Sequence, residues 1–175
     1  MNRTGNLILA LLLFSSLLFS QDFYPKTKGS AKERTFGIGG QASYPVGGVS
    51  VKFNIGDHAA VQGVFGFFGI AGIELKSMML RGLFRFNEIN SVEPYVYGTA
   101  GYLEITSNNL QHPALNKKET FPGYGVGGGI EYESQSIPDV AVNAEVGYGS
   151  LQNKTIDFEF SRVTYGAGIH FYFMR

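Results

Sequence analysis

From Val49 to Ile55 the side chains alternate: Val49, Val51, Phe53 and Ile55 are apolar, and Ser50, Lys52 and Asn54 between them are polar. A period of two places successive side chains on opposite faces of a strand. The same rhythm continues to the C-terminus and predicts eight strands, over 35–44, 49–55, 59–69, 73–86, 94–106, 122–133, 140–151 and 158–173. Most of these runs reach the roughly 9–11 residues that a tilted strand needs to cross a bilayer, whereas strands average about 5–6 residues in soluble domains. The turn chemistry between them is compact, as in Pro45-Val46-Gly47-Gly48, Gly56-Asp57-His58 and Ile70-Ala71-Gly72, and only 107–120 is longer. The expected fold is all-β: an eight-stranded antiparallel transmembrane up-and-down β-barrel. Its outward loops would be 45–48, 70–72, 107–120 and 152–157, with both chain ends on the other side.

The N-terminus reads differently. Arg3 precedes an apolar run from Leu7 to Phe19, interrupted only by Ser15 and Ser16, and a polar stretch follows from Gln21 to Arg34. This is the layout of a cleavable signal peptide, and the run is shorter than the roughly 20 residues of a spanning helix. Residues 1–20 are therefore expected to be the signal peptide, although Leu18 departs from the small residue usual at that position. Residues 21–34 would form a polar periplasmic segment and 35–175 the barrel domain. Lys+Arg and Asp+Glu both number 14, so no net field favours nucleic acid. The absence of Cys removes disulfides, thiolate metal sites and Cys nucleophiles.

The polar face of the pattern indicates which side would meet lipid. A solvated face should be rich in Lys, Glu and Thr. In 122–133 it instead carries Gly123, Gly125, Gly127, Gly129, Glu131 and Glu133, opposite Tyr124, Val126, Ile130 and Tyr132. A Gly-lined face suits a narrow lumen into which neighbouring strands send a few long side chains. This phase assigns Lys52, Arg81, Arg85 and Arg162 to the lumen against Glu104, Glu131, Glu133 and Glu145, four charges of each sign. A confined charge must be paired, so a network that plugs the lumen is expected, with Arg81 and Arg85 facing Glu131 and Glu133. With Glu104 inward, Tyr95 and Tyr97 point outward. An aromatic girdle would then comprise Tyr44, Phe84, Phe86, Tyr95, Tyr97, Tyr132, Tyr148, Phe171 and Phe173. Glu74 and Lys76 fall on the outer side of 73–86, either above the bilayer or through a bulge that shifts the phase.

The run Tyr165-Gly166-Ala167-Gly168-Ile169-His170-Phe171-Tyr172-Phe173 resembles the terminal strand of bacterial outer-membrane barrels. Pro94-Tyr95-Val96-Tyr97-Gly98 and Gly125-Val126-Gly127-Gly128-Gly129-Ile130-Glu131-Tyr132 are similar to strands of the OmpA-like and OmpX-like outer membrane β-barrel domain family. The resemblance covers about 35–173. It implies residence in the outer membrane of a Gram-negative cell, contact with lipid and lipopolysaccharide, and recognition by the barrel assembly machinery through Gly168, Phe171 and Phe173. Met174 and Arg175 after the terminal Phe, and Gly166 at a position usually polar, depart from that signal.

Little points to chemistry. Gly123-Tyr124-Gly125-Val126-Gly127-Gly128 matches the spacing of a dinucleotide fingerprint, but the alternation continues through it and no helix start follows. His58, His112 and His170 form no metal-ligand cluster, and no cofactor is expected. Lipid A-modifying barrel enzymes pair His with Ser or a carboxylate, and the spacing here shows no such signature. His170 reads as a hydrogen-bonded lumen residue. The sequence thus predicts a non-enzymatic barrel with a structural or surface-interaction role, and loop 107–120 is the candidate for an extracellular ligand. A narrow porin-like pore is the first alternative and a lipid A-modifying enzyme the second.

Overall fold

Extended backbone with long side chains on one face and glycine on the other curls readily into a closed sheet, and the chain does this. The computed structural model describes residues 35–43, 46–70, 72–89, 91–107, 117–133, 137, 139–153 and 158–174. The signal peptide, the segment 21–34, Tyr44 and loop residues 108–116 lie outside the described residues. The strands are β1 (Phe36–Ser43), β2 (Val46–Ile55), β3 (Ala59–Ile70), β4 (Ile73–Arg85), β5 (Val92–Ser107), β6 (Lys117–Glu133), β7 (Val140–Asn153) and β8 (Phe158–Met174). Each pairs antiparallel with the next, and β1 pairs with β8 to close the barrel. No described residue is helical.

All eight expected strands are present, and β2, β5 and β6 run furthest beyond the expected bounds. Val46, Gly47 and Gly48, read as a turn, pair with Ser43, Ala42 and Gln41. β6 begins at Lys117, opposite Ser107 of β5, well before its expected start at Pro122. Lys117, Lys118 and Thr120 of that extension are exposed, so no apolar face marks it in the sequence. Gly56 and Gly72 take φ of +64° and +81° in tight connections, a conformation with little steric cost only for glycine.

The upper end of the barrel carries the β1–β2, β3–β4, β5–β6 and β7–β8 connections, and the lower end carries both termini. The ladders of β4 run without a register shift on either side, so no bulge places Glu74 and Lys76 on the outer face. They belong to a polar patch near the upper rim, where Lys76 is level with Glu104 and Thr120, and Glu74 with Thr106 and Lys118. Below this patch the outer face is apolar: Phe65, Leu80, Val96, Val126, Ile130, Val146 and Ile169 are all exposed. Gln41, Ser50, Lys52, Gln62, Arg81, Glu131, Asn143, Glu145 and His170 are buried inside. The distribution is inverted relative to a protein folded in water.

Candidate functional site: the lumen network

Two ion pairs cross the lumen. Lys52 Nζ of β2 lies 2.8 Å from Glu131 Oε2 of β6, and Arg81 Nη2 of β4 lies 2.7 Å from Glu145 Oε2 of β7, with every side chain at most 4% exposed. A buried pair is stable only when its remaining polar atoms are also bonded. Here Tyr172 donates to Glu131 Oε1 at 2.8 Å. Ser43 donates to Glu145 Oε1 at 2.6 Å, and Tyr95 to Oε2 at 3.1 Å. The Arg81 guanidinium also lies 4.0 Å from the centre of the Tyr97 ring, a cation–π contact.

Neutral groups fill the space between the pairs. Ser50 Oγ is 2.9 Å from His170 Nε2 and accepts a bond from Gln62 Nε2 at 2.8 Å. Asn143 Nδ2 lies 3.4 Å from His170 Nδ1 and donates to Gln41 Oε1 at 3.2 Å, and Gln41 in turn donates to Ser43. The separation of Ser50 and His170 is that of a nucleophile and its base. Both are 0% exposed, however, so no substrate reaches the hydroxyl. Above the network is a cavity of about 40 Å³ bordered by Met79, Thr99, Ser150, Leu151 and Phe160, room for a few waters only. Among the described residues no group of three or more His, Asp or Glu is placed to hold a metal ion.

The glycines of β6 and β7 make this packing possible. A Cβ on Gly129 would lie 2.7 Å from the Tyr95 ring and hydroxyl, and one on Gly127 or Gly147 about as close to the Tyr97 hydroxyl. The long side chains that fill the space over the glycines are thus two tyrosines of β5.

That finding corrects the phase read for β5. Tyr95 and Tyr97 are 4% and 8% exposed and face the lumen, so neither belongs to an outer girdle. Glu104 faces outward and pairs with Lys118 at 2.9 Å. It lies in the polar patch of the outer face, where a charge says nothing about phase, whereas a tyrosine is accepted in a polar lumen once its hydroxyl has a partner. The expected pairing of Arg81 or Arg85 with Glu131 or Glu133 also differs: Arg81 takes Glu145 and Glu131 takes Lys52. On β5, Arg81 is level with Thr99 and Glu131 with Glu93, about 20 Å apart along an extended strand. Arg85 lies lower, 3.4 Å from Glu93, and donates to the carbonyls of Gly56 and Asp57. Glu133 is half-buried near the same end, and Arg162 is exposed with its guanidinium over the Phe160 ring. Glu93, Tyr172 and Ser50 were not singled out in the sequence; the alternation phase was available for Tyr172 and Ser50, whereas Glu93 fell in the connection expected before β5.

The other described aromatics of the expected girdle are on the outer face. Phe84, Phe86, Tyr132, Tyr148, Phe171 and Phe173 are exposed, as are Tyr102, Tyr124 and Tyr165. Phe84 and Phe86 meet edge to face at 5.4 Å, and His58 stacks on Phe84. Gly168 faces inward against Gln41 and Asn143 of the network.

No protein-family model matches the chain, and no curated protein matches its sequence. Solved structures do match. The N-terminal β-barrel domain of Pseudomonas aeruginosa OprF superposes with a TM-score of 0.52 at 17% identity, covering 79% of this chain and 95% of that one. Neisserial surface protein A gives 0.49 at 18% identity, covering 79% and 93%. Ail, the attachment invasion locus protein of Yersinia pestis, gives 0.43 at 18% identity, covering 78% and 93%. With its closed eight-stranded sheet and the OprF match, the chain has the fold of the small outer-membrane β-barrels.

Proposed function

We propose that this protein resides in the outer membrane, exported by a signal peptide over residues 1–20, and acts there as a non-enzymatic structural or surface-interaction barrel with a sealed lumen. The observation that carries the reading is the inversion itself: an apolar outer belt around buried, mutually paired Lys52, Glu131, Arg81 and Glu145. A closed barrel leaves no open edge in the belt, which hydrocarbon requires. Lipid and lipopolysaccharide would surround the belt, with aromatic side chains at its margins. In the cell, Gly168, Phe171 and Phe173 would serve as the signal to the assembly machinery, and the connection over 107–120 would face outside as the candidate ligand surface.

The pore and enzyme readings have less support. Eight strands enclose space for side chains alone, and the lumen side chains here bond to one another. The Ser50–His170 contact is sealed from substrate. Two experiments test the proposal. Protein reconstituted in planar bilayers should show no steady conductance. Lipid A from deletion and overexpression strains should have the mass of the parent's; stable channels or altered lipid A would replace this reading.

A further inference from the structure

Inward-facing residues of a membrane barrel are ordinarily polar, and the lower half of this lumen follows that rule. The upper half does not. Two-residue steps up the strands from Arg81 and Tyr97 place Met79, Leu75, Leu103 and Ile105 inside. Leu75 is level with Ile105, and Leu103 with Phe121, on neighbouring strands. Val64, Phe121 and Leu151 are buried in the same zone. A plug made of ion pairs does not call for aliphatic side chains on this face, and apolar surface turned to water is unfavourable.

The cavity above the lumen network lies within this apolar zone. Val64, Met79, Leu151 and Phe160 border it, together with Thr99, whose hydroxyl donates to Met79 Sδ. Its floor is the Arg81–Glu145 pair, and Arg162, an exposed cation over the Phe160 ring, stands beside it. The lining therefore carries two positive charges and one negative. At about 40 Å³ the cavity has room for roughly three waters, and a methylene group is close to a water in size. A water needs several polar partners, which the apolar walls do not supply, whereas an apolar cavity takes up small hydrocarbons.

We propose that this cavity is a binding site for a short, straight-chain aliphatic carboxylate of about four to six carbons, its chain against Val64, Met79 and Leu151 and its carboxylate on Arg162. The volume sets the chain length and the walls set the apolar character. The surplus positive charge selects an anion, because a guanidinium and a carboxylate form a charge-assisted hydrogen bond. A ligand this small, held by one charge pair near solvent, binds with a Kd on the order of 1 mM.

The test uses the full barrel with isotope-labelled methionine methyl groups, folded in phospholipid nanodiscs, and butyrate as the probe. Met79 borders the cavity and Met78, its neighbour on β4, is exposed on the outer face, so one magnetic-resonance spectrum separates the lumen from the belt. Butyrate should shift the Met79 methyl signal saturably and leave Met78 in place, and butylammonium should shift neither. Arg162→Gln should weaken butyrate at least about tenfold. Thr99→Leu should abolish the shift by filling the cavity. A Met79 signal that does not respond would overturn the proposal, as would Met78 and Met79 moving together without saturation. Equal binding of butylammonium, or unchanged affinity in Arg162→Gln, would overturn it as well. The comparisons made on the parent barrel hold even if Thr99→Leu does not fold. Steady conductance would end the sealed-lumen reading and leave this site untouched, so the two readings fail separately.

Discussion

The lumen is held by individual side chains whose removal leaves a specific orphan. Glu131→Ala strands the Lys52 ammonium and the Tyr172 hydroxyl, and breaking a fully buried pair typically costs about 3–5 kcal/mol. Urea unfolding in lipid vesicles should show that loss for Glu131→Ala and for Glu145→Ala, and under about 1 kcal/mol for Glu104→Ala, whose partner Lys118 is exposed. Adding Lys52→Ala to Glu131→Ala should recover part of the loss, because the stranded charge goes too. Strictly additive losses would mean that the pair is not coupled. Glycine positions divide in the same way. Gly129→Ala forces its new methyl against Tyr95 and the Ala144 carbonyl, and overpacking of this kind costs about 1–3 kcal/mol. Gly98→Ala meets nothing within 4 Å on the outer face and should be neutral or slightly stabilising in the same assay.

At the scale of the strand, β5 is where the structure departs furthest from its sequence. Cysteines at Val96 and Ala100 should react with a lipid-soluble maleimide in folded vesicles, and cysteines at Tyr95 and Thr99 should not; the reverse would restore the opposite phase. Most strands could be read because aliphatic and polar residues largely alternate in them, most cleanly in Val49–Ile55. β5 could not. Tyrosine suits both an apolar face and a polar lumen, and the one charge that seemed to fix the phase, Glu104, sits in the polar patch of the outer face and pairs there with Lys118. The upper extension of β6 from Lys117 was invisible because its exposed Lys117, Lys118 and Thr120 carry no apolar face.

The whole molecule should behave as one sealed, closed sheet. Protein folded in detergent is expected to give a β-type circular dichroism spectrum and to change gel mobility on heating. Replacing both lumen pairs together, Lys52→Ser, Glu131→Ser, Arg81→Ser and Glu145→Ser, should give measurably more conductance than the parent barrel if those pairs plug the lumen. A quadruple variant that folds and stays silent would assign the block to Tyr95, Tyr97 and the Ser50–His170 cluster instead. The sequence by itself determined the strand number, the up-and-down order, the glycine-lined interior and the identity of most lumen charges. These follow from side-chain periodicity and turn chemistry, which act between near neighbours in the chain. Only the tertiary structure decided that Lys52 meets Glu131 and Arg81 meets Glu145, that Ser50 and His170 touch, and that Tyr95 and Tyr97 fill the lumen over the glycines. Those outcomes depend on the register of every ladder around the closed sheet, where the offset between one strand and the next accumulates over several strands, so no local pattern encodes which residues come face to face across the lumen.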